Sequence, residues 1–219
     1  MRKIIVTMFM TMDGVLQAPG GANEDTSNGF EWGGWSFPYG DDLTDQKLAK
    51  IMSEPYDLLL GRRTYEIFAA YWPYHGDHPI GEMFNRIQKY VVATTPVDLS
   101  WANSTLISEN VAEELRKLKN GDGPALLVHG SSRLVQTLLA EQLIDELHMW
   151  IHPITLGKGK QLFQEGTNPQ QWKLVETVIG TKGMIVATYV PDGDVQTAPI
   201  PDGELNAAEI ARREKHAKA

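Results

Sequence analysis

Apolar runs of strand length alternate with amphipathic stretches along most of this chain, and the alternation predicts strands and helices in turn. Lys3 to Phe9 reads as a first strand leading into the turn-like Thr11-Met-Asp-Gly14. Asp41 to Ser53 is predicted helical and is closed by Pro55. Asp57-Leu-Leu-Leu-Gly-Arg-Arg-Thr64 is a short strand running through glycine into a helix that holds Tyr65, Phe68, Ala69 and Trp72 at helical spacing. A short helix around Gly81–Gln88, a strand over Tyr90–Thr94 and a short strand at Thr105–Ser108 follow. Asn110 is placed to cap a helix reaching Lys119, with Glu113 and Lys117 as a supporting ion pair, and Asn120-Gly-Asp-Gly123 ends it. The Leu126–His129 strand passes into a helix with Leu134, Val135, Leu138 and Leu139 on one face. Asp145 to His152 alternates as a strand. Trp172–Ile179 and Met184–Val190, joined by Gly180-Thr-Lys-Gly183, read as a hairpin at a sheet edge. The pattern is that of an α/β domain with a mostly parallel central sheet and a C-terminal antiparallel hairpin.

Two segments fall outside this rhythm. Residues 17 to 40 are rich in glycine, asparagine, proline and aromatics, which marks a long functional or mobile loop. From Pro191 the composition shifts to that of a linker, with a short helix expected over Glu204–Ala219. Its apolar face is thin, so it is expected either to fray or to dock on a partner. The expected division is one domain over residues 1–190 and a tail over 191–219.

Composition narrows the function classes. A chain of 219 residues, 42% hydrophobic and 22% charged, is long enough to bury a sizeable core. A net charge of −8 with no basic stripe argues against nucleic acid and membrane surfaces as partners. The absence of cysteine removes disulfides, thiol nucleophiles and cysteine metal sites. Neither a signal peptide nor a run of transmembrane length is seen, so a cytoplasmic location is expected.

The chemistry lies where strands meet helices. In Val128-His-Gly-Ser-Ser-Arg-Leu134 the helix start aims unpaired amides at one spot, and the positive end of the helix dipole stands behind them. Alone, this is an ordinary turn in which Ser131 or Ser132 caps the helix. Two further strand ends change the reading. Gly61-Arg-Arg-Thr64 brings guanidinium groups suited to a terminal phosphate, and Thr94-Thr95 brings hydroxyls. Ligands of open α/β sheets sit at the carboxyl ends of strands, so the three together point to one multiply phosphorylated ligand, best a phosphorylated dinucleotide.

These motifs, in their order, resemble the dihydrofolate reductase-like superfamily. More closely, the chain looks like the reductase domain of the bifunctional riboflavin-biosynthesis deaminase-reductase and its stand-alone bacterial relatives. The resemblance runs from Arg2 to Val190. It rests on Thr11-Met-Asp-Gly14, on Gly-Gly-Trp-Ser-Phe-Pro-Tyr at 33–39 and on Leu-Leu-Leu-Gly-Arg-Arg-Thr-Tyr-Glu at 58–66. Tyr-Val-Val-Ala-Thr-Thr at 90–95 and the stretch from Val128-His-Gly-Ser-Ser to Pro153-Ile-Thr-Leu-Gly-Lys-Gly-Lys-Gln-Leu-Phe163 complete it.

The resemblance implies a three-layer α/β/α fold, NADPH as cofactor and a homodimer. Gly61, Arg62, Arg63 and Thr64 match the segment holding the adenosine-side phosphate and pyrophosphate. Thr94 and Thr95 match the strand end beside the adenosine ribose phosphate. Gly130, Ser131, Ser132, Arg133 and Leu134 match the glycine-rich pyrophosphate turn. Dihydrofolate reductases often join the glycines of that turn by a cis bond, and Ser131 in place of the second glycine leaves this open here. Asp13 and Gly14 match the strand end near the nicotinamide. Asp13 is the one candidate for a catalytic role and also a candidate substrate contact, while Trp35, Phe37 and Tyr65 are candidates to wall the substrate side.

The implied reaction is hydride transfer to a small heterocyclic substrate of the 5-amino-6-(5-phosphoribosylamino)uracil type. The alternatives are a dihydrofolate or pterin reductase and a binding protein that kept the pocket without catalysis. A folate reductase needs an acid on the early helix. Asp41, Asp42 and Asp45 lie there, more simply read as helix-start acids. Among other features, His148 and His152 share a strand face and His75 and His78 flank a turn, but no carboxylate completes a metal set, so no metal is expected. Met8, Met10 and Met12 read as sheet-face packing. Trp32 and Trp35 either stack on a planar substrate, anchor the loop or line a subunit interface.

Overall fold

The computed structural model describes residues 1–198 and 205–217. Eight strands form one sheet in the order β4-β3-β2-β5-β1-β6-β8-β7. They are β1 (Ile4–Thr11), β2 (Tyr56–Gly61), β3 (Lys89–Val92), β4 (Ser104–Ile107), β5 (Ala125–His129), β6 (Glu146–His152), β7 (Trp172–Ile179) and β8 (Ile185–Pro191). The helices are α1 (Asp42–Ile51), α2 (Arg62–Tyr71), α3 (Pro79–Arg86), α4 (Val111–Asn120), α5 (Ser132–Ala140) and α6 (Ala207–His216). β1 to β6 run parallel, whereas β8 pairs antiparallel with β6 and with β7. The expected hairpin is therefore present, with β7 as the outer edge.

Strand alternation sorts the core into two layers. Ile4, Val6, Met8 and Met10 of β1 join Leu126 and Val128 of β5 under Leu115 of α4 and Leu134, Val135, Leu138 and Leu139 of α5. On the opposite face Leu58, Leu60, Leu127 and Val91 meet Tyr65 and Phe68 of α2, Phe84 of α3, and Leu48 and Ile51 of α1. Strands covered on both sides read as continuous apolar runs, which is why β2 and β5 stood out in the sequence.

Several boundaries moved for physical reasons. β1 runs on to Thr11 because β6 continues to pair with it as far as Thr11–His152. Met12 therefore lies just past the strand and is exposed, while Met8 and Met10 are buried. The short helix predicted at 81 begins at Pro79, with His78 as its cap. Asn110 precedes α4 in the left-handed conformation and makes no side-chain cap bond, whereas the Glu113–Lys117 pair forms at 2.8 Å. The tail helix covers Ala207–His216, and the expected ends at Glu204, Lys218 and Ala219 lie outside the described residues. All peptide bonds among the described residues are trans, including Gly130–Ser131. No helix among them is long and apolar enough to cross a membrane.

Candidate functional site

The strand order β3-β2-β5-β1 sets the carboxyl ends of these strands side by side. That order brings the glycine junctions into contact. Gly61 ends β2, and its amide donates to Ser131 Oγ at 3.0 Å. Ser131 Oγ in turn lies 2.9 Å from Thr64 Oγ1 in the first turn of α2. Gly130 and Ser131 both adopt the left-handed conformation, with φ of 55° and 62°. Gly130 does this freely, while Ser131 is held there by the bonds of its hydroxyl. A Cβ on Gly61 would stand 3.4 Å from the Ser131 side chain, so glycine permits this close approach.

The third junction joins the same rim. Gly61 pairs with Val92, the last residue of β3, and after the buried Ala93 come the exposed Thr94 and Thr95. Helix caps follow the same geography. Side chains of Asp41, His78 and Asn206 cap α1, α3 and α6. Among the described residues no side chain caps α2, α4 or α5, the helices that start from the carboxyl ends of β2, β4 and β5. The first-turn amides and dipoles of α2 and α5 thus face the rim without a side-chain acceptor, a donor set that suits phosphate oxygens.

Two of the three site arginines, Arg62 and Arg63, are already engaged. Arg62 pairs with Glu66 at 3.1 Å within α2. Arg63 reaches Asp25 Oδ1 and Ser27 Oγ, both at 2.8 Å, in the long loop. Asp25 also holds Lys160 and is nearly buried. Desolvation works against its charge, but hydrogen bonds from Lys160, Ser27 and Arg63 hold its carboxyl well below the usual range. Arg133 is exposed and forms no ion pair among the described residues. Ser132 and Leu134 open α5 beside it, Leu134 with its side chain in the core.

Asp13 sits at the end of β1 as a clamp. Its carboxylate accepts from Thr11 Oγ1, from the amide of Gly157 at 2.6 Å and from the amide of Leu156 at 3.1 Å. Against desolvation, these bonds lower its pKa. Backbone bonds from Met12 to Ile154 and from Leu16 to Lys160 continue the seam, so the 153–162 segment wraps the β1 turn.

Of the aromatics expected on the substrate side, Phe37 alone is exposed, at 71%. Trp35 is buried. Its indole N–H donates to Gln17 O at 2.8 Å, and its ring meets His152 edge-on at 4.9 Å, which anchors the loop. Tyr65 is fully buried against Trp101. Trp32 is partly exposed beside Phe30. Asp41 is taken up by the α1 cap and by the backbone and hydroxyl of Thr181. Backbone bonds from Thr44 and bonds from Thr181 keep it well below the usual carboxylate range.

The histidines named as a metal alternative have other partners. His148 bonds Thr188, His152 faces the carbonyls of Met10 and Trp150, His75 stacks on Tyr71, and His78 caps α3. Among the described residues no cluster of histidine, aspartate and glutamate suits a metal. Sequence reasoning missed Asp25 and the pair Thr7–His129, whose Oγ1 and Nδ1 lie 2.7 Å apart where the end of β5 pairs with the middle of β1. No local pattern marks either, because each depends on neighbours far away in the chain.

Comparison with known proteins agrees with this architecture. A riboflavin-biosynthesis protein from Shewanella sp. PV-4 superposes with a TM-score of 0.63 at 18% identity, over 87% of this chain and 99% of that one. A dihydrofolate reductase from Enterococcus faecalis, complexed with NADP(H) and RAB-propyl, matches at 0.54 and 19% identity, over 87% and 96%. A pyrimidine reductase-like protein from Corynebacterium diphtheriae matches at 0.54 and 13% identity, over 88% and 93%. The fold is therefore dihydrofolate reductase-like. In sequence, the uncharacterized protein YyaP of Bacillus subtilis (strain 168) is 26% identical over 192 residues, covering 86% of this chain and 94% of YyaP. YwjB of the same organism, also uncharacterized, is 25% identical over 179 residues, covering 80% and 91%. The model of the RibD C-terminal domain matches residues 2–186, and the chain belongs to that family.

Proposed function

We propose that this protein is an NADPH-dependent reductase acting on a small heterocycle, of the 5-amino-6-(5-phosphoribosylamino)uracil reductase type. Family membership supports an activity of the reductase class. The observation that carries the cofactor reading is the joined rim, in which Gly61, Thr64 and Ser131 are linked by hydrogen bonds at the starts of two uncapped helices. A dinucleotide's phosphates would meet the first-turn amides of α2 and α5, with Arg133, Thr94 and Thr95 at the flanks. Bound there, the nicotinamide would supply the hydride. The chain's own task is to hold the two rings in register and to exclude water, which the long loop and the 153–162 segment could do from above the β1 end.

Asp13 and Asp41 fit positioning better than proton transfer. Each carboxylate is fully engaged as an acceptor and sits below its ordinary pKa, so neither holds a proton near neutrality. Of the three early-helix acids open to a folate reductase's proton donor, Asp41 is thus taken up as a cap, which supports the pyrimidine reading. A homodimer and a cytoplasmic location belong to the same proposal, as does a tail beyond residue 190 that is separate from the reductase domain.

The test is a screen of NADPH oxidation against 5-amino-6-(5-phosphoribosylamino)uracil, 7,8-dihydrofolate and a panel of carbonyl compounds. Turnover with the pyrimidine and not with dihydrofolate is expected. Tight NADPH binding without turnover on any compound would move the assignment to a binding protein.

A further inference from the structure

Among the described residues, buried side-chain polar atoms without a hydrogen-bond partner are Tyr65 Oη, His129 Nε2 and His148 Nε2. His148 Nε2 has a Glu146 carboxylate oxygen at 2.8 Å, so a charge partner is at hand. His129 has none. Its Nδ1 lies 2.7 Å from Thr7 Oγ1, and the same hydroxyl lies 3.2 Å from the carbonyl oxygen of Val128. A hydroxyl carries a single proton. Both contacts are hydrogen bonds only when Thr7 donates to Val128 and His129 Nδ1–H donates to Thr7. Nε2 is then left as a bare lone pair.

Its surroundings offer no remedy. The rings of Phe68 and Phe84 flank the imidazole, with centroids at 6.3 and 6.0 Å. Burial pushes the His129 pKa down to about 4, so the ring stays neutral near pH 7, and with the proton on Nδ1 facing Thr7 the Nε2 is an acceptor. An enclosed acceptor with no donor is unfavourable, and replacing it by an apolar group would relieve the strain. His129 is also the last residue of β5, directly before Gly130, whose amide faces Thr7 O on β1 at 3.4 Å. The unmatched atom therefore lies one residue from the rim described above, on the sheet face roofed by α1, α2 and α3.

We infer that His129 is a specificity-determining contact of this site, its Nε2 accepting a hydrogen bond from an N–H or O–H of the substrate once the half-buried Phe68 ring turns aside. The inference rests on the reductase reading and deepens it. It selects an aminopyrimidine-like ring, which presents donors, over a compound that presents only carbonyl acceptors.

The experiment compares the wild type with His129→Leu and His129→Gln. Each is titrated with NADPH and then, with NADPH present, assayed with 5-amino-6-(5-phosphoribosylamino)uracil. For His129→Leu we expect unchanged NADPH affinity, a melting temperature equal to or above wild type, and a KM raised about tenfold or more. His129→Gln keeps an acceptor and should recover part of that loss. A spectroscopic check on the wild type stands even if a variant fails to fold. In a ¹⁵N-histidine spectrum, His129 should show a protonated Nδ1 and a bare Nε2 whose resonance moves upfield on adding the pyrimidine. A protonated Nε2 in the free protein, or a KM unchanged in His129→Leu while NADPH still binds, overturns the contact alone. A wild type that fails to bind NADPH overturns the reductase reading, and this inference with it.

Discussion

Ser131 and Gly61, 70 residues apart in the chain, meet through a 3.0 Å hydrogen bond from the Gly61 amide to the Ser131 hydroxyl. This bond ties the β2–α2 junction to the β5–α5 junction. Ser131→Ala should keep the fold, lose about 1–2 kcal/mol of stability and weaken NADPH binding several-fold. Ser131→Gly loses the same bonds but escapes the left-handed strain at φ 62°, so it should be more stable than the alanine variant by about 1 kcal/mol. Denaturant unfolding and a fluorescence titration read both effects. Equal NADPH affinity in all three proteins would place the coenzyme elsewhere.

Asp25 joins the long loop to Arg63 and to Lys160. Asp25→Asn should cost about 1–2 kcal/mol at neutral pH, since Arg63 is half exposed and its share is screened. The folded-state pKa of Asp25 is depressed. Its stabilisation is therefore present above the unfolded pKa of about 4 and is lost as pH falls further. The stability gap between wild type and Asp25→Asn should accordingly narrow below about pH 4. Amide exchange over residues 20–30 should speed up in the variant. Unchanged exchange would show that the loop is held by other contacts, such as Trp35 to Gln17.

Asp41 separates a capping role from an acid role. Asp41→Ala removes the α1 cap and the bonds from Thr181, so its melting temperature should fall. The shape of the pH–rate profile should stay as in the wild type. Loss of the limb on which the rate falls with rising pH would make Asp41 the proton donor instead.

The outer strand β7 carries Leu174, Val175 and Ile179 exposed at 51%, 51% and 66%. With the proposed homodimer seated on this edge, sedimentation should give twice the chain mass. Ile179→Lys should shift the protein toward monomer without lowering the helix content. A monomeric wild type at micromolar concentration would remove the dimer from the account.

The junctions were legible because each is local. An apolar run ending in Gly130-Ser131 or Gly61-Arg62 declares a buried strand meeting a helix, and parallel strands so buried leave their carboxyl ends on one side. What escaped is what the third dimension decides. Asp25 looks like any loop acid until the sheet brings Arg63 and Lys160 to it. Trp35 left three readings open in the sequence, and only its N–H bond to Gln17 O selects the loop anchor among them. His129 reads as the end of a strand, and only the neighbouring β1 supplies Thr7 and exposes its unmatched nitrogen. Asn110, a preferred cap by type, takes a left-handed backbone that turns its side chain from the role.

The joined rim is tested most directly by calorimetric titration of the protein with NADPH, alongside Arg133→Ala and Ser131→Ala. The account predicts saturable binding at one site per chain, weakened in both variants and by added salt. No heat of binding at millimolar NADPH, or binding that neither variant disturbs, would contradict it.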